Sequence, residues 1–225
     1  MKLEESRNKH AGEEIFILGS GPSIDDLPDN FFDDKISIAV NWMYIAFPNC
    51  TYYFNIHREE AAWIVKDRPE RIHKLICGCP SNGRPDLNQM NEYGNIPMYV
   101  LWGVAGFNGF VESVSSIMRG KACSLADIAT SVQPAIQVAA ILGARKITLV
   151  GCEARTSKYQ YHAQRRGLDK FYIEKKGVEY AKAAQRDAAD WFRRCKLGAK
   201  WLSDLFGPYG VSVKRFYYKT GYEEI

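Results

Sequence analysis

No apolar run in the chain approaches the ~20 residues that a membrane-spanning helix needs. The opening Met1-Lys2-Leu3-Glu4-Glu5-Ser6-Arg7 is too polar and acidic for a secretory leader. Both absences set the expectation of a cytoplasmic protein. Cysteine is sparse, with Cys50, Cys77, Cys79, Cys123, Cys152 and Cys195. Without a secretory signal these read as reduced, buried thiols rather than a disulfide framework. Cys77 and Cys79 alone are close-spaced, and no second Cys or His pair follows at ligand spacing, which argues against structural zinc. There is no Gly-Lys-Ser/Thr of a P-loop, no Asp-x-Asp, no internal repeat and no low-complexity segment.

What is present is the composition of a globular protein. Of 225 residues, 46% are hydrophobic and 25% charged, which excludes wholly disordered and fibrous chains. Residues 1–13 read as a loose, polar N-terminal arm and 14–225 as a single folded domain. The net charge of +4 is unevenly spread. From Arg155 to Ile225, sixteen Lys and Arg stand against eight Asp and Glu, leaving the first 154 residues net acidic. A basic C-terminal third suits an anionic partner such as a nucleotide, a phosphate-bearing lipid, a glycan or nucleic acid; a solvated helix face is the plainer explanation.

Short apolar runs bounded by turn residues mark a parallel sheet. Ile15-Phe16-Ile17-Leu18 stops at Gly19-Ser20-Gly21-Pro22-Ser23, Ile36 to Val40 stops at Asn41, and Thr51 to Ile56 contains Asn55. A short helix is expected over Glu59 to Val65 and a fourth strand over His73 to Cys77. From Cys79 to Cys123, glycine and proline are scattered among aromatics, which predicts an irregular insertion, a binding loop or lid. Thr130-Ser131 then precedes an almost wholly apolar helix over Ala135 to Leu142, closed by Gly143, and Ile147 to Val150 is another buried strand before Gly151. The spacing of Tyr180, Ala184, Ala188, Trp191 and Cys195 predicts a helix from about Gly177 to Ala199, and Val211 to Tyr218 reads as a last strand. The expected class is α/β, Rossmann-like, with a mostly parallel sheet flanked by helices.

In such sheets ligands bind beyond the carboxyl ends of the strands. The candidates are therefore Gly19, Ser20, Gly21, Pro22 and Ser23, then Asn41, Asn55 and His57, and the polar stretch from Gly151 to His162. A glycine turn directly after a strand offers bare backbone N–H groups to a phosphate, with the Ser20 and Ser23 hydroxyls as further donors. Ile24 stands where a dinucleotide fingerprint would have its third glycine.

These residues carry a resemblance. Ile17 to Ser23, Val40-Asn41, Tyr53-Phe54-Asn55, Thr130-Ser131 and Ala139 to Glu153 resemble a superfamily with two branches. One is the family 42 bacterial sialyltransferases. The other is the archaeal 6-hydroxymethyl-dihydropterin pyrophosphokinase-like family, to which the central domain of flagellin-glycosylating accessory factors is similar. The likeness spans roughly residues 15–155. It implies a nucleotide over the Gly-Ser-Gly-Pro-Ser turn, Asn41 and Asn55 on phosphate or ribose, and Thr130 and Ser131 helping to hold the donor, although Ser131 can equally be a helix cap. It also implies Tyr159 and Tyr161 on the leaving phosphate and His162 as general base. Both branches usually have Asp where this chain has Glu153, so the reach of that carboxylate to ribose or magnesium differs.

The residue types suit the chemistry. Phenol hydroxyls, with Lys158, Arg165 and Arg166 nearby, can stabilise a departing phosphate without a metal. An unperturbed His takes a proton near neutrality, and His162, flanked by tyrosines, is preferred to His57. The leading expectation is a nucleotide-sugar-dependent glycosyltransferase, sialyltransferase-like and needing no cofactor, acting on a hydroxyl acceptor such as a glycan or modified nucleic acid. The alternatives are a pyrophosphokinase of a small hydroxymethyl compound, which would need magnesium and ATP, and a non-catalytic nucleotide-binding module.

Overall fold

The structure is a computed structural model that describes residues 4–56, 63, 66–67, 75–80, 96–100, 104–121, 125–127, 130–153 and 167–225. Nine strands form the sheet: β1 (Glu14–Leu18), β2 (Ser37–Val40), β3 (Tyr52–Asn55), β4 (Leu75–Pro80), β5 (Ile96–Val100), β6 (Leu125–Asp127), β7 (Lys146–Val150), β8 (Ser212–Tyr217) and β9 (Gly221–Glu224). Their order is β6-β5-β4-β3-β2-β1-β7-β8-β9. Every neighbouring pair is parallel except β8 with β9. Among the described residues the helices are α1 (Met43–Ala46), α2 (Val104–Met118), α3 (Val132–Ile141), α4 (Leu168–Lys176) and α5 (Val178–Phe206). This is an α/β fold with a mostly parallel, Rossmann-like sheet.

The continuous apolar runs follow from burial on both faces. Ile15, Ile17, Ile38, Val40, Ile147 and Leu149 face a core shared with α3 and with Ala199, Leu202 and Phe206 of α5. Phe16, Leu18, Ala39, Tyr53 and Val150 face the opposite side, against Ile24, Leu27, Phe32, Trp42 and Met43. Helix α3 is buried from Gln133 to Ile141, as its all-round apolarity requires. The helix expected from about Gly177 to Ala199 runs on to Phe206 as one 29-residue helix, α5. On it Asp190 takes Arg193 and Arg194, and Lys200 bonds Asp204. Part of the basic excess is therefore a solvated, internally paired helix face. Among the described residues no helix is long and apolar enough to cross a membrane.

The structure departs from expectation in two places. Within the stretch read as irregular, β5 and the fifteen residues of α2 are regular. Gly106 and Gly109 each cost α2 up to about 1 kcal/mol relative to Ala. Phe110, Val114 and Ile117, spaced as one helical face and buried in the core, offset that cost. The rest of that stretch, like the helix over Glu59 to Val65 apart from Trp63, lies outside the described residues. The second departure is the N-terminal arm, which is tied down rather than loose. Asn8, His10 and Gly12 donate their backbone N–H groups to the carbonyls of Ile141, Leu142 and Gly143, meeting the orphan acceptors at the end of α3. Arg7 does the same for α2, reaching the carbonyls of Ile117 and Lys121 at 3.0 and 2.8 Å. Gly143 has φ +98°, and an added Cβ would stand 2.9 Å from Ala11 Cα. Glycine there both turns the chain and admits the arm.

Strand β6, at the end of the sheet, is held by a side chain. Gln137 Oε1 accepts from Ala126 N–H and from Ser113 Oγ, while Gln137 Nε2 donates to the carbonyls of Ala126 and Gln133. All four bonds are between 2.6 and 3.1 Å. Replacing Gln137 with Leu strands two buried backbone groups, and we expect a loss of about 2–4 kcal/mol in urea unfolding; an unchanged midpoint would show that β6 does not rely on it. His10 gives a pH test. Its Nε2 lies 2.7 Å from Tyr52 Oη, and burial, with Lys9 beside it, lowers its pKa below the ordinary 6.5. The unfolded chain then binds the proton more tightly, so this contribution is present above pH 6.5 and lost as pH falls through the lower folded value. His10→Gln should flatten the decline in melting temperature between pH 7 and pH 5 relative to the parent.

Candidate functional site

Strands β2 to β6 extend the sheet to one side of β1, and β7 to β9 lie on the other. The order reverses between β1 and β7, the place where open α/β sheets leave a crevice. Both strand ends there are glycine turns. Gly19 N–H donates to Val150 O at 2.8 Å, and Gly21 N–H to Gly151 O at 2.7 Å. The chains approach so closely that a Cβ on Gly19 would stand 2.5 Å from Gly151 O and 2.7 Å from Cys152 Sγ. One on Gly21 would collide with the Glu153 carboxylate and stand 2.7 Å from Gly151 O, and one on Gly151, where φ is +65°, would collide with Gly19 O. The three glycines interlock.

This changes the reason the turn exists. The N–H groups of Gly19 and Gly21 are spent on β7, and that of Ser23 is donated to Glu153 Oε1. Pro22 has none and opens a short 3-10 turn, Pro22–Asp26. The Glu153 side chain thus takes the start of that turn, where a phosphate was expected on bare backbone.

Glu153 is 9% exposed, and among the described residues its Oε2 has no hydrogen-bond partner; the same holds for buried Ser23 Oγ and Asn41 Oδ1. Asn41 closes β2 in the left-handed region, φ 55°, with its N–H donated to Phe54 O at 2.8 Å. Asn55 ends β3 fully buried. Because α3 runs back from the end of β6, Thr130 and Ser131 also lie at the carboxyl ends of the strands. Ser131 is buried at the helix start but its side chain makes no capping bond, so the simple cap reading fails. Trp42, beside Asn41, is buried and packs edge-on against Trp63 and Phe171.

Tyr159, Tyr161 and His162, like His57, Lys158, Arg165 and Arg166, lie outside the described residues. One described residue was missed by sequence reasoning. Arg215 is 9% exposed on β8, paired in register with Leu149 of β7, and its Nε has no partner. The signal was the alternation of Val211, Val213 and Arg215, which places the arginine on the buried side of the strand. Cys152 is also buried; its thiol is pushed well above its ordinary pKa by burial first, then by Cys195 and Glu153, with Arg215 acting the other way. Among the described residues no three His, Cys, Asp or Glu side chains group as a metal site needs.

Gly21→Ala should cost about 1–3 kcal/mol, and adding Glu153→Ala should recover only part of it, because the Gly151 carbonyl still obstructs the methyl; full recovery in thermal unfolding would mean the backbone contact is not limiting. Cys152 should resist iodoacetamide in the folded protein at pH 8 and react only on unfolding, as followed by mass spectrometry of the peptide that carries it.

No protein-family model matches the chain, and no curated protein matches it. Among solved structures it is similar to the sialyltransferase CstII from Campylobacter jejuni, in complex with a substrate analogue, cytidine-5'-monophosphate. The two share 16% sequence identity over 74% of this chain and 77% of that one, with a TM-score of 0.38.

Proposed function

We propose that the protein is a nucleotide-sugar-dependent glycosyltransferase, sialyltransferase-like and metal-independent, that transfers a sugar from its nucleotide donor to a hydroxyl acceptor. The observation that carries the nucleotide part is the set of buried, unpartnered oxygens at the β1–β7 switch point: Glu153 Oε2, Ser23 Oγ and Asn41 Oδ1. A buried carboxylate oxygen without a donor is costly, and ribose hydroxyls supply donors of the right kind. The class of reaction comes from the likeness of residues 15–155 to the family 42 sialyltransferases.

In this reading Glu153 and Asn41 hold the nucleoside, and Asn55, Thr130 and Ser131 complete the donor site. Gly19, Gly21 and Gly151 act by fixing the two strand ends, with Pro22 setting the turn and Ser20 and Ser23 contributing hydroxyls. His162 takes the proton of the acceptor hydroxyl as its oxygen bonds to the anomeric carbon. The bond from that carbon to the phosphate oxygen breaks, and the nucleotide leaves with the electron pair, its charge met by Tyr159 and Tyr161. The acceptor class, glycan or modified nucleic acid, would be received on the basic C-terminal third.

Thermal unfolding against CMP, UDP, ATP and CMP-sialic acid, each with magnesium and with EDTA, tests the reading. A ligand at 100 times its Kd stabilises the folded state by about 2.7 kcal/mol. We expect a shift with CMP or UDP that EDTA leaves intact. A shift only with magnesium and ATP would replace sugar transfer with pyrophosphoryl transfer, and no shift at all would remove the nucleotide site. Where donor turnover is detected, His162→Ala should lower it by roughly 10²–10⁴ with donor binding little changed; an unaltered rate would take His162 out of the mechanism.

A further inference from the structure

Among the described residues two charged side chains are buried, Glu153 and Arg215, each 9% exposed. Arg215 lies on β8 in register with Leu149 of the adjacent β7, and Glu153 lies four residues beyond Leu149, past the end of that strand. They have opposite charges, yet no ion pair joins them. Glu153 spends Oε1 on the Ser23 N–H and keeps Oε2 without a partner, and Arg215 Nε is likewise without one. Among the described residues no carboxylate meets the guanidinium. Glu223, its register partner on β9, is exposed and forms no bridge to it, and the neighbouring Lys214–Glu224 pair closes on itself at 2.7 Å. Arg215 acts electrostatically on the buried Cys152 thiol, which burial keeps protonated and therefore unable to neutralise it.

A guanidinium cannot shed its proton to escape burial. A buried one is stabilised by an anion, and none of the described residues supplies it. Arginine is also the side chain whose planar fork matches two oxygens of a phosphate or carboxylate at once. We propose that Arg215 is an oxyanion subsite of the β1–β7 cleft, binding a phosphate or carboxylate of the ligand whose hydroxyl groups donate to Glu153 Oε2. This rests on the reading of that cleft as the nucleotide site. It narrows the ligand to one with hydroxyl donors and an oxyanion on the same molecule, which a nucleoside monophosphate and an acid sugar both satisfy.

Calorimetric titration of the full chain at low ionic strength with inorganic phosphate, cytidine, CMP and N-acetylneuraminic acid separates the sources. The variants are Arg215→Met, which keeps the bulk of the side chain, and Arg215→Lys, which keeps a point charge without the fork. If the anion is phosphate, Arg215→Met should weaken CMP by roughly 30-fold or more and abolish inorganic phosphate, with cytidine unchanged and Arg215→Lys in between. If it is a carboxylate, the same loss should fall on the acid sugar and spare CMP. Equal affinities in parent and Arg215→Met for every probe would overturn the subsite while leaving the nucleotide reading intact. Phosphate bound through Arg215 with no nucleotide bound would support the subsite and remove that reading. A parent protein that binds none of the three anions would overturn the subsite. Should Arg215→Met fail to fold, an Arg215→Lys protein that binds all the anions as the parent does would overturn it as well.

Discussion

The contact on which the rest depends is the one between two backbones, where the end of β1 and the end of β7 come together without a side chain between them. Gly19, Gly21 and Gly151 each exclude a Cβ by touching the facing main chain, so the approach is fixed by hard-sphere contact and by the bonds from Gly19 and Gly21 to Val150 and Gly151. That contact brings Glu153 onto Ser23, sets the 3-10 turn that begins at Pro22, and leaves the second carboxylate oxygen buried and unmatched. Sheet register and site chemistry are consequently one constraint. Moving either strand end by the width of a methyl group alters both.

Much of the sheet could be read from the chain because a strand buried on both faces leaves an unbroken apolar run, as Ile15 to Leu18 and Ile147 to Val150 do. Helix α3 was legible for the same reason. Helix α2 was not: its glycines mask a buried face of Phe110, Val114 and Ile117 that shows only when those three positions are spaced along a helix. The site divided differently. Residue positions at the strand ends, from Gly19 to Ser23 and at Asn41 and Glu153, followed from topology alone. Their roles did not, because which N–H groups are spent is decided by the partner strand. The same four residues from Gly19 to Pro22 would serve a phosphate equally well if β7 ended elsewhere. Arg215 was overlooked because a charged residue near the chain's end reads as surface until the alternation with Val211 and Val213 is taken literally.

The two buried charges illustrate how little a fold's interior needs to neutralise itself. Glu153 Oε2 and Arg215 Nε lack partners among the described residues, whereas the buried side-chain amide of Gln137 is bonded at both its oxygen and its nitrogen.

The position of β7 has a consequence for how the protein is made. Glu14 pairs with Lys146, and Leu18 with Val150, so one edge of β1 stays without its neighbour until most of the chain has left the ribosome. The arm's bonds to Ile141, Leu142 and Gly143 wait just as long. An apolar parallel strand with an open edge is a template for pairing with other chains, and sheets closed by such distant partners form late. The nascent protein therefore carries β1 half-paired until β7 has emerged, with β2 covering one side and the other side exposed until the glycine contact closes.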